Sequence, residues 1–223
     1  MTADKREAAG HDFDCAGLTT LERYKLICAI VVPRPIALVT SCDEDGRVNA
    51  APYSFFNAFS EDPIQIALGL QHKADGTLKD TTRNLARARH FVVNMVDEPL
   101  AEAMGNCAID FPPEVSEIEA LGIATVASSQ VPVPRIANTP FALECRKTVS
   151  LAFSPTREIL IGEVLAIHAR ADLLDVEKLY VDHTKYRPVG RLFGTLYCRQ
   201  GEIFSLERET YAAWRQRTGG LKK

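Results

Sequence analysis

Apolar residues gather in short runs, at 36–39, 64–70, 91–96, 141–143, 159–167 and 192–197, with polar, Gly- or Pro-containing breaks between them. Runs of this length bounded by turn formers read as strands of a mostly antiparallel sheet. Helical periodicity is sparser. One helix is predicted over 21–30, with Thr19 or Thr20 as its cap and Pro33 limiting its extension. A second is predicted over 81–89 with Asp80 as N-cap. Short helices follow over 100–107 and 116–121, and a last one over 206–217. Single helices interrupting strands, without regular strand–helix alternation, predict a mostly β protein: a barrel with peripheral helices. The Pro-rich stretch 127–140 reads as a surface crossing, residues 1–17 as a flexible polar tail, and 18–223 as a single domain.

The segment 33–57, PRPIALVTSCDEDGRVNAAPYSFFN, is the most informative. Its apolar run meets Thr40 and Ser41, the Asp-Glu-Asp-Gly turn at 43–46 reverses the chain, and Gly46 supplies the positive φ a hairpin needs. The return strand carries Asn49, Pro52, Tyr53, Ser54, Phe55, Phe56 and Asn57. Pro52 cannot donate to a ladder, which puts this strand at an edge or a bulge. Flat aromatics and free backbone donors on an irregular edge suit a planar heterocycle. The same residues read equally well as a partly buried edge strand.

A second candidate is Leu78-Lys79-Asp80-Thr81-Thr82-Arg83-Asn84, which opens a helix after a polar, Gly-containing loop. Unpaired N–H groups in a first helical turn attract a phosphate. Lys79 adds charge, and Thr81 and Thr82 add hydroxyls. The Asp80 carboxylate works against an anion and fits a cap better, so an ordinary capped helix with a solvated lysine stands beside the phosphate reading. No Walker loop and no GxGxxG turn is present, which leaves no Rossmann route to a nucleotide.

A formal net charge of −3 argues against a general nucleic-acid binder. No run is long enough to span a membrane, and the first residues lack a signal-peptide core. The six cysteines form no CxxC and no metal-like pairing with histidine, so a reduced, cytoplasmic protein without a metal site is expected. His72 and His90 have no partner at ligand or catalytic spacing. His183 reads as solvated or as lining a nicotinamide site. Phe204, Tyr211 and Trp214 read as an apolar face that packs the last helix onto the core, or as a dimer contact.

The order and spacing of PRPIALVT, GRVNAAPYSFFN, LKDTTRNL and FVVN resemble the flavin reductase-like proteins with an FMN-binding split barrel, most of all the flavoredoxin-type branch. The resemblance extends through ALEC at 142–145, Gly162-Glu163-Val164 and Gly190-Arg191-Leu192. It implies a six-stranded antiparallel Greek-key split barrel forming a homodimer, with FMN near the subunit interface. Thr40, Tyr53, Asp80 and Asn84 are implied as cofactor neighbours. The Ser54, Phe55, Phe56 and Asn57 backbone would meet the ring, and Asn49 would touch the ring or hold its strand. Lys79 and Thr81 would reach the phosphate. Arg191 would contact cofactor or partner subunit, and reads equally well as part of a structural ion pair; Arg191 and Arg34 are the next candidates for the phosphate.

The implied activity is hydride transfer from NADH or NADPH to FMN, held as a prosthetic group or exchanging as a substrate. Reduced flavin would then serve a monooxygenase or another electron acceptor. Such chemistry needs two rings held face to face and no acid–base pair; none is visible. A non-catalytic flavin-binding electron-transfer protein, fed by a protein partner, is the alternative, and a cofactor-free member of the family is the third.

Overall fold

The computed structural model describes residues 10–73 and 75–218. Part of the expected tail, residues 1–9, lies outside them; residues 10–17 are exposed and belong to no helix or strand. Helix α1 (Thr20–Ile30) starts on a capping box, in which Thr19 Oγ accepts from the Glu22 amide and the Glu22 carboxylate accepts from the Thr19 amide. Strands β1 (Ala37–Cys42) and β2 (Val48–Tyr53) form the expected hairpin, turned at Gly46 with φ +80°. Then come β3 (Phe56–Glu61), β4 (Ile64–Gln71), α2 (Asp80–Arg87) and β5 (His90–Met95). A 3-10 turn at Glu98–Leu100 leads into α3 (Ala101–Asn106), and α4 (Glu117–Ala120) is capped by Ser116. The small strand β6 (Thr125–Val126) precedes the Pro-rich crossing, and β7 (Arg135–Ile136) lies within it. The long strands β8 (Phe141–Ser154) and β9 (Arg157–Ala169) follow, then β10 (Leu174–Asp175), β11 (Tyr180–Val181), β12 (Val189–Arg191), β13 (Tyr197–Arg199) and α5 (Tyr211–Thr218).

Seven of these strands make one antiparallel sheet in the order β2-β1-β5-β8-β9-β4-β3. The two edge strands are consecutive in the chain, and only Ser54 and Phe55 join them. A sheet whose edges are tied by two residues must curl until they meet, and because no ladder joins β2 to β3 the barrel stays split along that seam. The return strand of the hairpin is thus two strands, which is how the expected antiparallel split barrel comes to have seven. Pro52 sits on the edge strand β2, as its missing N–H requires. That edge is covered by α4: the Ala50 amide donates to Glu117 Oε2 at 3.0 Å, and Ser116 Oγ donates to the Val48 carbonyl at 2.5 Å.

Inside the barrel, Val39, Ile66, Leu68, Leu70, Phe91, Val93, Cys145, Leu160 and Leu85 form the main core, so α2 plugs one end through Leu85. A second core outside β1 joins Leu38, Val96, Met104, Ile118 and Ile136. Residues 91–94 are the core strand expected of them. Four expectations are corrected. The run 192–197 is mostly the turn between β12 and β13, and only Tyr197 enters a strand. The last helix starts at Tyr211, not Leu206, because Thr210 caps it: its Oγ accepts from the Ala213 amide at 3.2 Å. Phe204 and Tyr211 are exposed and form no part of a core, while Trp214 stacks on Tyr211 with ring centroids 5.8 Å apart. Strand β8 runs far beyond 143, past the end of β5, and its second half exposes Val149, Leu151 and Phe153. Among the described residues no helix is long and apolar enough to cross a membrane.

Candidate functional site

The chain changes sides of the barrel wall between β2 and β3. Tyr53 packs against the interior core, whereas Phe55 stands on the outer face, 47% exposed. Phe55 lies directly over Gly69 of β4. The Gly69 amide donates to the Phe55 carbonyl at 2.7 Å, and a Cβ at 69 would come within 2.8 Å of the Phe55 Cβ, so only glycine admits this contact. Beside it opens a cleft of about 540 Å³, lined by Ser54, Phe55, Phe56 and Asn57, by Ala67, Gly69 and Gln71 of β4, and by Phe153, Arg157 and Ile159. Its apolar floor, aromatic wall and sparse polar rim are those of a ligand site for a planar molecule.

Arg34 closes one side of this cleft. It is 6% exposed, and it donates through Nη1 to the carbonyls of Cys28 (2.6 Å) and Val31 (2.8 Å), through Nη2 to Leu192 (2.9 Å), and through Nε to Ser54 Oγ (3.4 Å). It therefore fastens the end of α1 to the start of the Ser54–Asn57 segment, with its guanidinium 5.9 Å from the Phe55 ring centroid. Arg191 supports it by backbone alone, pairing with Arg34 in both directions (3.0 and 2.8 Å). The Arg191 side chain stacks on Tyr197 at 4.5 Å and donates to its hydroxyl and to the Gly194 carbonyl.

The other expected residues fall into an interior cluster where β1 and β2 meet α2. Asn49 Nδ2 donates to Thr81 Oγ at 2.9 Å, Thr81 also bonds Tyr53, and Asn84 Nδ2 donates to Ser41 Oγ at 3.1 Å. Burial pushes the Tyr53 phenol up to about 12, so it stays neutral. Thr81 is 1% exposed, with its hydroxyl turned inward and engaged. Thr40 lies outside this cluster, on the opposite face of β1 with Leu38, where it donates to the Pro134 carbonyl at 2.8 Å and accepts from Asn94. Asp80 does not cap α2: Lys79 holds the cap position with extended backbone and no side-chain cap bond, and Asp80 pairs with Arg83 in the first turn. The Lys79 side chain is exposed. Lys79 therefore makes no cap bond to the amides of that turn. Asn57 lines the cleft, and its Oδ1 accepts from the Ala58 amide at 2.8 Å. His183 is exposed.

Two features escaped the sequence. A cavity of about 310 Å³ lies between α2 and the β8–β9 pair, lined by Thr82, Lys147, Ser150, Glu158 and neighbouring apolar groups; the buried Thr82 hydroxyl has no partner there. The second is the setting of His72. Its Nδ1 bonds the Pro155 carbonyl at 3.0 Å and its Nε2 faces Glu158 Oε1 at 3.6 Å, a pair 86 positions apart that no local pattern reveals. Glu158 lines both cleft and cavity, so the two adjoin.

Against known proteins, residues 30–190 match the family described as "Flavin reductase like domain". The chain is 42% identical to a Pseudomonas fluorescens 2-nitrobenzoate 2-nitroreductase, with 90% of this chain and 98% of that one covered and a TM-score of 0.83. It is 32% identical to nitrilotriacetate monooxygenase component B from Bacillus cereus, covering 89% and 99%, at a TM-score of 0.85. The flavoredoxin of Desulfovibrio vulgaris, 20% identical over 91% of this chain and 100% of its own, shares the fold at a TM-score of 0.70. Split-barrel architecture and these matches agree, and the chain belongs to the flavin reductase-like family.

Proposed function

We propose that the chain is an NAD(P)H-dependent flavin reductase that holds FMN in the outer cleft and works as a homodimer. The observation that carries this reading is the Phe55–Gly69 contact, which sets an exposed aromatic ring and the Ser54–Asn57 backbone along an apolar floor of a size that suits a flavin ring. Bound FMN would supply a ring that accepts a hydride from nicotinamide and passes electrons onward. The chain's own residues bind and orient it. Phe55, Phe153 and Ile159 exclude water from the ring faces, and Ser54 and Asn57 set its edge. Tyr53, Asn49 and Thr81 act indirectly, fixing the wall from which Ser54 and Phe55 emerge. Lys79 and the uncapped first turn of α2 offer the charge and N–H groups that a phosphate needs.

A second copy of the chain is favoured by the outer face itself. Phe55, Phe59, Val149, Leu151 and Phe153 are each between 47% and 69% exposed, and Phe55 and Phe153 also line the cleft. An apolar face of this kind is costly to leave in water. Covering it with a partner subunit would roof the cleft at the same time.

The test is NAD(P)H consumption by the purified protein with and without added FMN, with a nitroaromatic compound as a further acceptor, since a nitroreductase is among the similar proteins. Flavin-dependent turnover supports a reductase. Yellow protein that holds flavin without oxidising NADH or NADPH is the result expected of an electron carrier and sinks the reductase reading.

A further inference from the structure

Arg34 carries a charge that no carboxylate among the described residues answers; neutral acceptors and the Phe55 ring meet it. It is 6% exposed, and its acceptors are three backbone carbonyls and one hydroxyl. Among the described residues it has no ion-pair partner. A buried charge is costly to desolvate, and a negative charge beside it offsets more of that cost than neutral acceptors do. Nη1 spends both hydrogens on Cys28 and Val31, Nη2 spends one on Leu192, and Nε points to Ser54. One Nη2 hydrogen is left, on a side chain that lines the cleft. The other charged groups of the cleft are already engaged. Arg157 donates to the Thr156 carbonyl, and Glu158 accepts from Ser150 Oγ at 2.8 Å and faces His72.

Resting on the flavin reading of the cleft, we propose that Arg34 turns its remaining hydrogen towards the edge of the flavin ring that gains negative charge on reduction, and so holds reduced FMN more tightly than oxidised FMN. A hydride from nicotinamide brings two electrons and one proton to ring N5, and the nicotinamide leaves as its cation. The ring keeps one net negative charge, spread over its N1–C2 edge. A fixed cation there stabilises the product of the transfer without a further proton. The phosphate is served elsewhere, by exposed Lys79 and the uncapped start of α2, whereas Arg34 is fastened to the ring-side residue Ser54 and lies over Phe55.

The experiment measures the midpoint potential of bound FMN and of bound riboflavin in the wild type, Arg34→Lys and Arg34→Gln. In Arg34→Gln, reduced flavin should lose about tenfold more affinity than oxidised flavin. For a two-electron couple this lowers the potential by about 30 mV. FMN and riboflavin should shift alike, and Arg34→Lys should keep most of the wild-type value. An unmoved potential overturns the proposal. So does a loss of FMN affinity without loss of riboflavin affinity, which would put the phosphate at Arg34. Because Arg34 ties three segments together, a wild-type measurement stands beside the variants. The sulfur lone pair of sulfite bonds to ring N5 and leaves the added charge on the same edge, so FMN-loaded wild-type protein should bleach at low sulfite. Protein that holds FMN and resists sulfite overturns the role of Arg34 alone, while protein that binds neither flavin overturns the cleft reading first.

Discussion

The Gly69 amide donates to the Phe55 carbonyl at 2.7 Å across the outer face of the barrel, with no room between them for a side chain. Replacing Gly69 by alanine should force Phe55 off the strand. Overpacking of this kind costs about 1–3 kcal/mol. FMN affinity should fall about tenfold or more, because the displaced ring is the wall of the cleft. Parallel denaturant melts and flavin titrations check this; a Gly69→Ala protein with wild-type flavin affinity would detach Phe55 from the site.

Lys79 separates phosphate from ring. Lys79→Ala removes one charge-assisted contact worth roughly 1.5–3 kcal/mol. FMN affinity should drop about tenfold or more, with riboflavin nearly unchanged, and fluorescence titrations with both flavins show it. Changes at Asn57 should weaken both flavins alike. Equal loss of FMN and riboflavin in Lys79→Ala would move the phosphate away from α2.

Tyr53 makes the alkaline limit of the fold measurable. An unfolded tyrosine ionises near pH 10, while burial holds the folded phenol at about 12. The neutral phenol favours the folded state, so this contribution is complete below pH 10 and is lost as pH rises towards 12. Its size is on the order of 3 kcal/mol. Tyr186, also raised to about 12 by burial, acts in the same direction. Tyr53→Phe should therefore lose less stability between pH 9 and 11 than the wild type. Identical pH profiles would mean that Tyr53 is solvated in the folded protein.

The apolar outer face should be covered in solution. Leu151→Asp, at a site 58% exposed, should leave the barrel folded, shift the protein from dimer to monomer in sedimentation, and weaken flavin binding. A wild-type protein that sediments as a monomer would contradict the homodimer directly.

What was legible in the sequence is what is local. The β1–β2 hairpin followed from Gly46, the edge position of β2 from Pro52, and the start of α1 from a cap at Thr19 or Thr20, of which Thr19 is the one. What was not legible depends on curvature and distant pairing. A linear pattern puts Thr81 and Lys79 side by side on one helix start, but packing turns the Thr81 hydroxyl to Asn49 and leaves Lys79 outside. Arg34 acts through Leu192, 158 positions away, and His72 through Glu158, so neither showed any spacing signal. The outer half of β8 was missed because Val149, Leu151 and Phe153 alternate with polar residues and face outward instead of into a core.

The most direct test of the central claim is a crystal structure of the protein grown with FMN. The account predicts the flavin ring over Gly69, walled by Phe55 and Phe153, with its phosphate at the start of α2. A ring bound in the cavity between α2 and the β8–β9 pair, or on a face away from Ser54–Asn57, would contradict it.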